Sequence, residues 1–415
     1  MKIVTLTKEE FDDFSRRNKY NSFYQTSNYA EFKSKYEQFS IHYLGFRDNN
    51  NRLIGASLML YKTLFWGYKY AYAPRGLLID YDDDKLIDSV TVELKKLLRK
   101  QKFIFITIDP PVIASERDRT GNTIQFNNNV NRTLGAFKRN GYEHLGFNLY
   151  DEGILPRWNV VAPLAPDARI IYNSFDNETK EKLSYANNAC VTARIDNTCD
   201  IKKFYETIKK KYTKKNFKYF ENLANAFMPD KIKIFYAYLD TKKYTENANN
   251  LYVKEEERNN NLASIIQSGD RVTYNIPKAI EDKIASDKLL HTYKKDVVSS
   301  AKFLKANPEG IVLGAAITIE ESNGVSILLN YTDNDYERYN TSYVLTYEIM
   351  KYFGKDNYKY LNLGSVTGNF NPTSKYYSLL LNKVGFNSSI LEYIGQFNII
   401  INPTIYLIYK KKYNK

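Results

Sequence analysis

The fold is decided by residues 311–331, which read IVLGAAITIEESNGVSILLNY. Asn323-Gly324 between two apolar runs is a strong signal for a β-hairpin. A helix is predicted around Tyr343 to Phe353, a strand from Tyr358 to Leu363, and a second helix that ends near Gly385. Because helices alternate with strands after an opening hairpin, we expect a mixed sheet covered by helices.

The same order of elements occurs earlier in the chain. An apolar strand from Arg52 to Leu60 carries a Gly-Ala pair, as the later copy does, and a turn at Trp66-Gly67 leads into a strand from Tyr68 to Ala73. A helical pattern from Leu86 to Leu98 and a buried strand from Phe103 to Ile108 follow. An internal repeat of this length predicts two related α/β domains.

A different segment interrupts the second copy between about residues 242 and 305. It is highly charged, and its apolar residues recur at three- and four-residue steps on both sides of Ser268-Gly269-Asp270. We expect an antiparallel helical hairpin (a coiled-coil arm), the alternative being two ordinary helices packed on the body. The predicted division is residues 1–165 for the first domain, 166–240 with 307–415 for the second, and 241–306 for the arm.

Composition limits the possible functions. The 415 residues carry 60 Lys and Arg against 47 Asp and Glu, a net charge of +13. This excess favours a polyanionic partner such as nucleic acid, anionic lipid or diphosphate, although a merely solubilising lysine surface is the alternative. Cys190 and Cys199 are too few for a disulfide scaffold or a cysteine zinc cluster, and the three histidines have no ligand spacing. Without an apolar leader or a membrane-length apolar run, a cytosolic location is expected.

Six short strings stand in a fixed order along almost the whole chain. They are FYQTSNYAEFK (23–33), YAPRG (72–76), ITIDP (106–110), GSVTGNF (364–370), KVGF (383–386) and EYIGQF (392–397). At these residues the chain resembles the FemABX family of peptidoglycan-bridge aminoacyltransferases. The resemblance implies two domains of the GNAT (acyl-CoA N-acyltransferase) type, which agrees with the repeat, and it implies that the arm is the helical hairpin of the longer members.

The resemblance also implies a reaction. Such enzymes take glycine, alanine or serine from aminoacyl-tRNA and attach it to the stem-peptide amine of lipid II or UDP-MurNAc-pentapeptide. Aminolysis of an ester runs downhill, so we expect no cofactor and no metal. The site has to position the two substrates, provide a neutral amine and stabilise the developing oxyanion.

Two residues match the family's catalytic positions. Lys383 is implied to lie near the tRNA end, where a cation could stabilise the oxyanion or hold a phosphate; the alternative is a lysine that complements a helix dipole before Gly385. Asp109 ends a buried strand and is implied to act as a general base or a positioning group, the alternative being a simple Asp-Pro turn.

The resemblance implies a further set of substrate-binding residues, namely Lys33, Arg75, Lys215, Tyr219, Tyr331 and Gln396. Lys33 is expected to contact the diphosphate of the acceptor, unless it only lies on a solvated helix face. Lys215 stands where the family has an arginine, and a lysine cannot form the same bidentate pair. Gln396 replaces an acidic residue of many members, which weakens any role that needs the charge.

Two basic segments are candidates for polyanion binding. Residues 209–215 interleave lysines with tyrosine and could meet tRNA or lipid phosphates, or form a solvated helix face. The tail from Tyr406 to Lys415 mixes apolar residues with lysines, which suggests peripheral contact with an anionic membrane.

Two other functions remain open from the residues alone. An acetyl-CoA-dependent N-acetyltransferase would need a glycine-rich pyrophosphate loop, and none follows Tyr331 or Arg75-Gly76. A noncatalytic binder of tRNA or cell-wall precursors is permitted by Gln396, while the retained Lys383 and Asp109 argue for catalysis.

Overall fold

The structure, a computed structural model, describes residues 1–150, 152–209, 212 and 214–413. Its strands are β1 Lys2–Thr5, β2 Ser40–Arg47, β3 Leu53–Thr63, β4 Lys69–Ala73, β5 Phe103–Ile108, β6 Ile113–Arg117, β7 Thr123–Phe126, β8 Tyr142–His144, β9 Trp158–Pro163, β10 Val191–Ile195, β11 Ile232–Leu239, β12 Ile311–Glu320, β13 Gly324–Thr332, β14 Tyr360–Ser365, β15 Ser389–Tyr393 and β16 Phe397–Ile400.

The helices include segments, such as Asp84–Lys100, in which apolar residues recur at three- and four-residue steps. They are α1 Lys8–Arg17, α2 Ser27–Glu37, α3 Asp84–Lys100, α4 Val130–Arg139, α5 Ala168–Ser174, α6 Asn177–Asn188, α7 Ile201–Ile208, α8 Phe217–Phe227, α9 Thr241–Ser268, α10 Ile276–Ala306, α11 Thr341–Gly354, α12 Tyr377–Val384 and α13 Pro403–Tyr413. Within the described ranges, no helix combines the length and the apolarity needed to cross a membrane.

The strands form two mixed sheets that repeat one pattern. In the first, β1 to β4 pair antiparallel, β4 pairs parallel with β5, and β16 and β8 follow. In the second, β10 to β13 pair antiparallel, β13 pairs parallel with β14, and β9, β15, β6 and β7 follow. The parallel pair falls after the hairpin in both sheets, as expected where a helix makes the connection. The predicted internal repeat is therefore present in the topology.

The two sheets exchange strands across the predicted domain boundaries. β6, β7 and β9 come from the first 165 residues but pair in the second sheet, whereas β16 comes from the C-terminal region and pairs with β5 and β8 of the first. The boundary at residue 165 therefore does not separate the sheets. The hydrophobic pattern of a segment predicts that it forms a strand, but it does not predict the sheet to which that strand belongs.

One apolar cluster joins the two halves. Phe11 and Leu58 from the first half pack in the same cluster as Phe204, Phe220 and Ile317 from the second. The two halves of the chain therefore share one apolar core.

The predicted helical hairpin is confirmed. α9 and α10 pack against each other along their length, and inside the hairpin the Nδ2 atom of Asn259 donates to Ser286 Oγ at 3.0 Å. The hairpin is tied to the body near its open end, where Tyr244 and Asp296 meet Tyr339 and Arg338. The 28 residues of α9 span about 42 Å, so the arm extends well beyond these contacts.

Candidate active site

A cavity of about 880 Å³ lies on one face of the second sheet. Side chains alternate between the faces of a strand, so residues two apart share a wall. Most of the strand residues that line the cavity follow this alternation, and Ile327 and Ser365 line it as well. The alternating residues are Ser326 and Leu328 of β13, Tyr360, Asn362 and Gly364 of β14, Asn159, Val161 and Pro163 of β9, and Ser389, Leu391 and Tyr393 of β15. The segment from Lys19 to Tyr24 and the side chain of Arg75 also line the cavity, so both halves of the molecule contribute to it.

Among the cationic side chains that line this cavity, that of Arg75 is the most deeply buried. Its guanidinium stacks on the ring of Tyr393 at 4.1 Å, and its Nη2 atom donates to the carbonyl of Pro156 at 2.8 Å. Arg75 has φ of 48°, a left-handed conformation that is uncommon outside glycine, which turns the chain sharply after β4. The predicted substrate-binding residue Arg75 thus reaches the cavity.

Asp109 holds the backbone of that turn in place. Its Oδ1 atom accepts a hydrogen bond from the backbone N–H of Arg75, and its Oδ2 atom accepts one from the hydroxyl of Tyr72 at 2.7 Å. Gln396 donates to the same Oδ2 at 3.5 Å. The structure therefore brings three predicted site residues, Asp109, Arg75 and Gln396, into one buried cluster.

Asp109 is shut off from the large cavity. Only 2% of the residue is exposed, and it borders a separate recess of about 10 Å³ together with Arg75 and Gln396. Burial raises the pKa of Asp109, opposed by the charge of Arg75 and by the hydrogen bonds that the carboxylate accepts. This geometry suits a positioning group better than a group that meets substrate.

Sequence reasoning missed Glu321, which lines the large cavity. It follows β12, and its carboxylate accepts hydrogen bonds from Ser326 Oγ at 2.6 Å and from the Tyr360 hydroxyl at 3.5 Å. Burial raises the pKa of Glu321 to about 6, although both hydrogen bonds and the charge of Arg75 lower it. Its only sequence signal is a pair of glutamates before Asn323-Gly324, which is also typical of a solvated turn.

Lys383 lies directly behind the cavity wall. It is in the last turn of α12, and its Nζ atom donates to the carbonyl of Ser365 at 2.8 Å. Gly364 and Ser365 line the cavity, and Gly364 has φ of +86°, where a side chain would be strained. A Cβ at Gly364 would lie 3.4 Å from Lys383 Nζ. The glycine therefore leaves the ammonium close to the cavity.

Lys33 lies in a second cluster, on α2. Its side chain is 12% exposed and forms an ion pair with Glu37. Lys33 and Lys62 both place their Nζ atoms over the ring of Phe39, at 5.4 and 4.5 Å. Burial lowers the pKa of Lys33, and the charges of Lys215 and Lys62 lower it further while Glu37 opposes them. Lys33 thus does not lie on a freely solvated helix face.

Tyr219 and Lys215 join this second cluster from the neighbouring helix α8 and the residues before it. The ring of Tyr219 meets Phe32 and Tyr36 edge-on at 5.3 Å each, and Lys215 Nζ lies 4.9 Å from the ring of Tyr219. Tyr331 of β13 packs against the apolar cluster that joins the two halves, to which Phe32 also belongs. Of the basic run 209–215, residues 210, 211 and 213 lie outside the described residues.

Tyr24 connects the two clusters. It lines the large cavity, and its pKa is raised by burial, with Arg75 lowering it and Tyr219 raising it. The predicted acceptor residue Tyr219 on α8 is therefore close enough to Tyr24 to influence its pKa, and the ring of Tyr24 also meets that of Tyr29 on α2 at 5.2 Å. A substrate lying along this line would pass from the lysine cluster into the cavity.

Known proteins resemble the chain over almost its full length. The sequence model of the FemAB family matches residues 6–413. Aminoacyltransferase FemB of Staphylococcus epidermidis is 25% identical over 419 residues, covering 99% of this chain and 97% of that protein. Aminoacyltransferase FemA of Staphylococcus aureus is 25% identical over 435 residues, with the same two coverages.

The crystal structure of FemX superimposes with a TM-score of 0.72 at 20% identity, covering 98% of this chain and 99% of that one. The predicted fold class, α/β with two mixed sheets and a helical arm, is thereby confirmed. Because the family model spans nearly the whole sequence, this chain belongs to the FemAB family.

Proposed function

We propose that this aminoacyltransferase moves glycine, alanine or serine from aminoacyl-tRNA to the stem-peptide amine of a peptidoglycan precursor, lipid II or UDP-MurNAc-pentapeptide. The aminoacyl-transfer class rests on the FemA and FemB relatives, which carry that name. The donor, the acceptor and the roles of single residues are part of the proposal.

The observation that carries the proposal is the placement of Lys383 beside a cavity large enough for two substrate ends. The ammonium is bonded to the carbonyl of Ser365, a residue that lines the cavity, and Arg75 lines the same cavity. A fixed cation beside a carbonyl carbon stabilises the negative charge that develops on its oxygen during attack. Holding both substrates in one cavity also removes much of the entropic cost of their encounter.

The proposed reaction is aminolysis of an ester. The nitrogen lone pair attacks the acyl carbon, the C–N bond forms, and the C–O bond to the ribose breaks. The Lys383 ammonium stabilises the tetrahedral oxyanion. Asp109 acts as a positioning residue, because its hydrogen bond to the Arg75 N–H fixes the turn that brings the guanidinium into the cavity.

A recess at the base of the arm supports a polyanionic donor. It measures about 340 Å³ and is lined by His291, Lys294, Lys295, Val298, Ser299 and Arg338. Exposed lysines around a recess attract phosphates without reading sequence. Together with the net charge of +13, this recess fits contact with the backbone of tRNA.

The test of the proposed function is transfer of labelled glycine, alanine and serine, each from its charged tRNA, to lipid II and to UDP-MurNAc-pentapeptide. We expect label in the acceptor from one donor, without added metal. Binding of tRNA or precursor without transfer to plain or pre-branched acceptors would instead favour a noncatalytic role.

We predict that Lys33→Ala raises the KM for the acceptor with little change in kcat. A charge-assisted hydrogen bond to a diphosphate contributes about 1.5–3 kcal/mol, which corresponds to roughly a ten- to hundredfold change in KM. The matched control is Lys35→Ala on the same helix, since Lys35 is exposed and pairs with Glu31. A stem peptide without the diphosphate should not distinguish Lys33→Ala from wild type; an unchanged KM for lipid II would remove Lys33 from the acceptor site.

The C-terminal helix takes part in a surface that fits an anionic membrane, the peripheral contact proposed for this enzyme. Trp66 is 72% exposed at the turn between β3 and β4. The neighbouring Phe65 stacks on Tyr413 of α13 at 6.3 Å, and Lys412 Nζ lies 4.9 Å above the Phe65 ring. Leu407 is also exposed on α13. Tryptophan with lysines at one surface is typical of proteins that bind the membrane interface.

We predict that the triple variant Trp66→Ser, Lys411→Glu, Lys412→Glu loses most of its binding to vesicles containing phosphatidylglycerol. Each basic residue near an anionic surface contributes about 1 kcal/mol, so binding should fall by at least tenfold in sedimentation assays. Val272→Ser at the arm tip, where the side chain is 98% exposed, is the matched control. Equal sedimentation of the triple variant and wild type would refute the contact.

A further inference from the structure

An amine acceptor reaches the enzyme mainly as an ammonium ion, since the ordinary pKa of a lysine amine is about 10.4. It has to lose one proton before its lone pair can attack. A carboxylate that meets the substrate can bind the ammonium and then take that proton. A carboxylate that is open to the cavity can therefore serve both steps.

Two carboxylates, Asp109 and Glu321, lie near Arg75, and of these two only Glu321 lines the large cavity. Asp109 is closed off, with both oxygens occupied by donors from the protein. Glu321 lines the cavity and is partly exposed to it, with Ser326 as its close donor and Tyr360 at a longer distance. An incoming N–H donor can therefore reach Glu321 without displacing a structural hydrogen bond.

Aromatic side chains surround Glu321 from several elements. Glu321 raises the pKa values of Tyr24, Tyr360 and Tyr393, so all three lie within its electrostatic range. A carboxylate beside aromatic rings attracts an ammonium by charge and by cation–π contact. Arg75 lowers the pKa of Glu321 and favours the ionised form that can accept a proton.

Other charged groups border the same carboxylate. Glu321 also lines a second cavity of about 370 Å³ on its other side. The remaining charged groups that line the two cavities are Asp12, Arg16, Lys19, Glu116, Lys231, Glu320 and Lys359. They carry both signs, and among the charged groups of the two cavities Arg75 is the one that lowers the pKa of Glu321, together with the hydrogen bonds from Ser326 and Tyr360.

We propose that Glu321 is the amine-binding site of the acceptor, where its carboxylate first pairs with the ammonium and then takes one proton from it. This inference rests on the proposed function, because it assigns the amine end of the same reaction. The neutral amine attacks the acyl carbon, and the C–N bond forms. The second proton of the amine passes to the departing ribose oxygen as the C–O bond breaks, and Glu321 later releases its proton to water.

The experiment measures the rate of transfer at saturating aminoacyl-tRNA between about pH 5 and about pH 9. For E321Q we expect a loss of about a hundredfold at neutral pH, within the usual range for a lost general base. In the wild type, the rate should fall at low pH as Glu321 becomes protonated, and this acid limb should be absent from E321Q. The rate of E321Q should instead follow only the fraction of the acceptor amine that is unprotonated in solution. E321D should recover part of the rate.

Three further variants keep the inference open to refutation even if E321Q is poorly folded. E320Q changes the neighbouring glutamate, which pairs with Lys233 and accepts from Tyr358 away from the large cavity, and should behave as wild type. S326A removes a hydrogen bond that lowers the pKa of Glu321, so the acid limb should move to higher pH. D109N should be slower but should keep the acid limb, as expected of a positioning residue.

The possible outcomes separate this inference from the proposed function. A wild-type enzyme that transfers from no charged tRNA overturns both. Transfer by wild type together with an unchanged rate and acid limb in E321Q overturns the role of Glu321 alone. If D109N lost the acid limb and E321Q kept it, Asp109 and not Glu321 would be the general base.

Discussion

Replacement of Lys383 by methionine should reduce transfer by a thousandfold or more while the protein remains folded. The methionine keeps the length and the apolar contacts of the side chain in the last turn of α12 but removes the ammonium that lies at the Ser365 carbonyl. Loss of one group that stabilises an oxyanion costs about a hundred- to a thousandfold in kcat, and loss of contact with the tRNA end adds to it. Single-turnover transfer from preformed complexes measures this effect directly.

The matched control is Lys375→Met, in the exposed segment before α12, where Lys375 Nζ lies 4.9 Å over the ring of Tyr376. It makes the same chemical change nearby without approaching Ser365. We expect nearly normal turnover and an unchanged thermal unfolding temperature. If Lys383→Met also turned over normally, Lys383 would be only the residue that complements the end of a helix.

The largest effect on stability should come from Glu392→Gln. Glu392 accepts hydrogen bonds from Ser115 Oγ and from two nitrogens of Arg117, and it also pairs with Arg157, which is 8% exposed. The amide leaves two guanidinium groups without a counter-ion. Breaking a buried pair from one side costs about 3–5 kcal/mol, and urea unfolding should report that loss in the free energy of unfolding.

The same cluster predicts a dependence on pH. Burial opposes ionisation of Glu392, but the hydrogen bonds from Ser115 and Arg117 and the charges of both arginines outweigh it and lower its pKa. A carboxylate whose pKa is lower in the folded state stabilises the fold above its unfolded pKa. That contribution disappears as the pH falls through the folded pKa, so the wild type should lose stability there and Glu392→Gln should lose less.

Glu309→Gln is the control for this prediction. Glu309 is 91% exposed and lies 3.8 Å from Lys242, and exposed pairs of this kind contribute about 0–1 kcal/mol. A similar loss in both variants would mean that the Glu392 cluster contributes no more than a surface pair. The result also bears on the cavity, because strand β15 carries both Glu392 and the cavity-lining residue Tyr393.

Local patterns were sufficient for most of the fold. The hairpin at Asn323-Gly324 and the helical arm from residue 241 to residue 306 were predicted where the structure has them. Residue spacing along one segment decides whether it can bury one face as a helix or a strand, so these features need no distant partner. The family, and the candidate catalytic residues Lys383 and Asp109, were predicted from the resemblance of the six strings.

Long-range pairing decided what local patterns left open. β16 pairs with β5 nearly 300 residues earlier, and Glu392 bonds to Ser115 across a separation of 277 residues. Nothing in the spacing of either segment specifies that partner, because a strand offers the same hydrogen bonds to any neighbour of suitable register. The exchange of strands between the sheets could therefore not be derived from the sequence pattern.

The sequence alone determined the order of helices and strands, the repeat, the arm and the family strings, because each depends on residues close together in the chain. Only the tertiary structure decided that Glu321 faces the cavity and that Asp109 does not. Asp109 ends a strand, as a functional residue often does, and is buried, whereas Glu321 follows a hairpin strand and lines the cavity. Burial and electrostatic environment are set by groups from distant elements, here Arg75, Tyr360 and Tyr393, which only folding brings together.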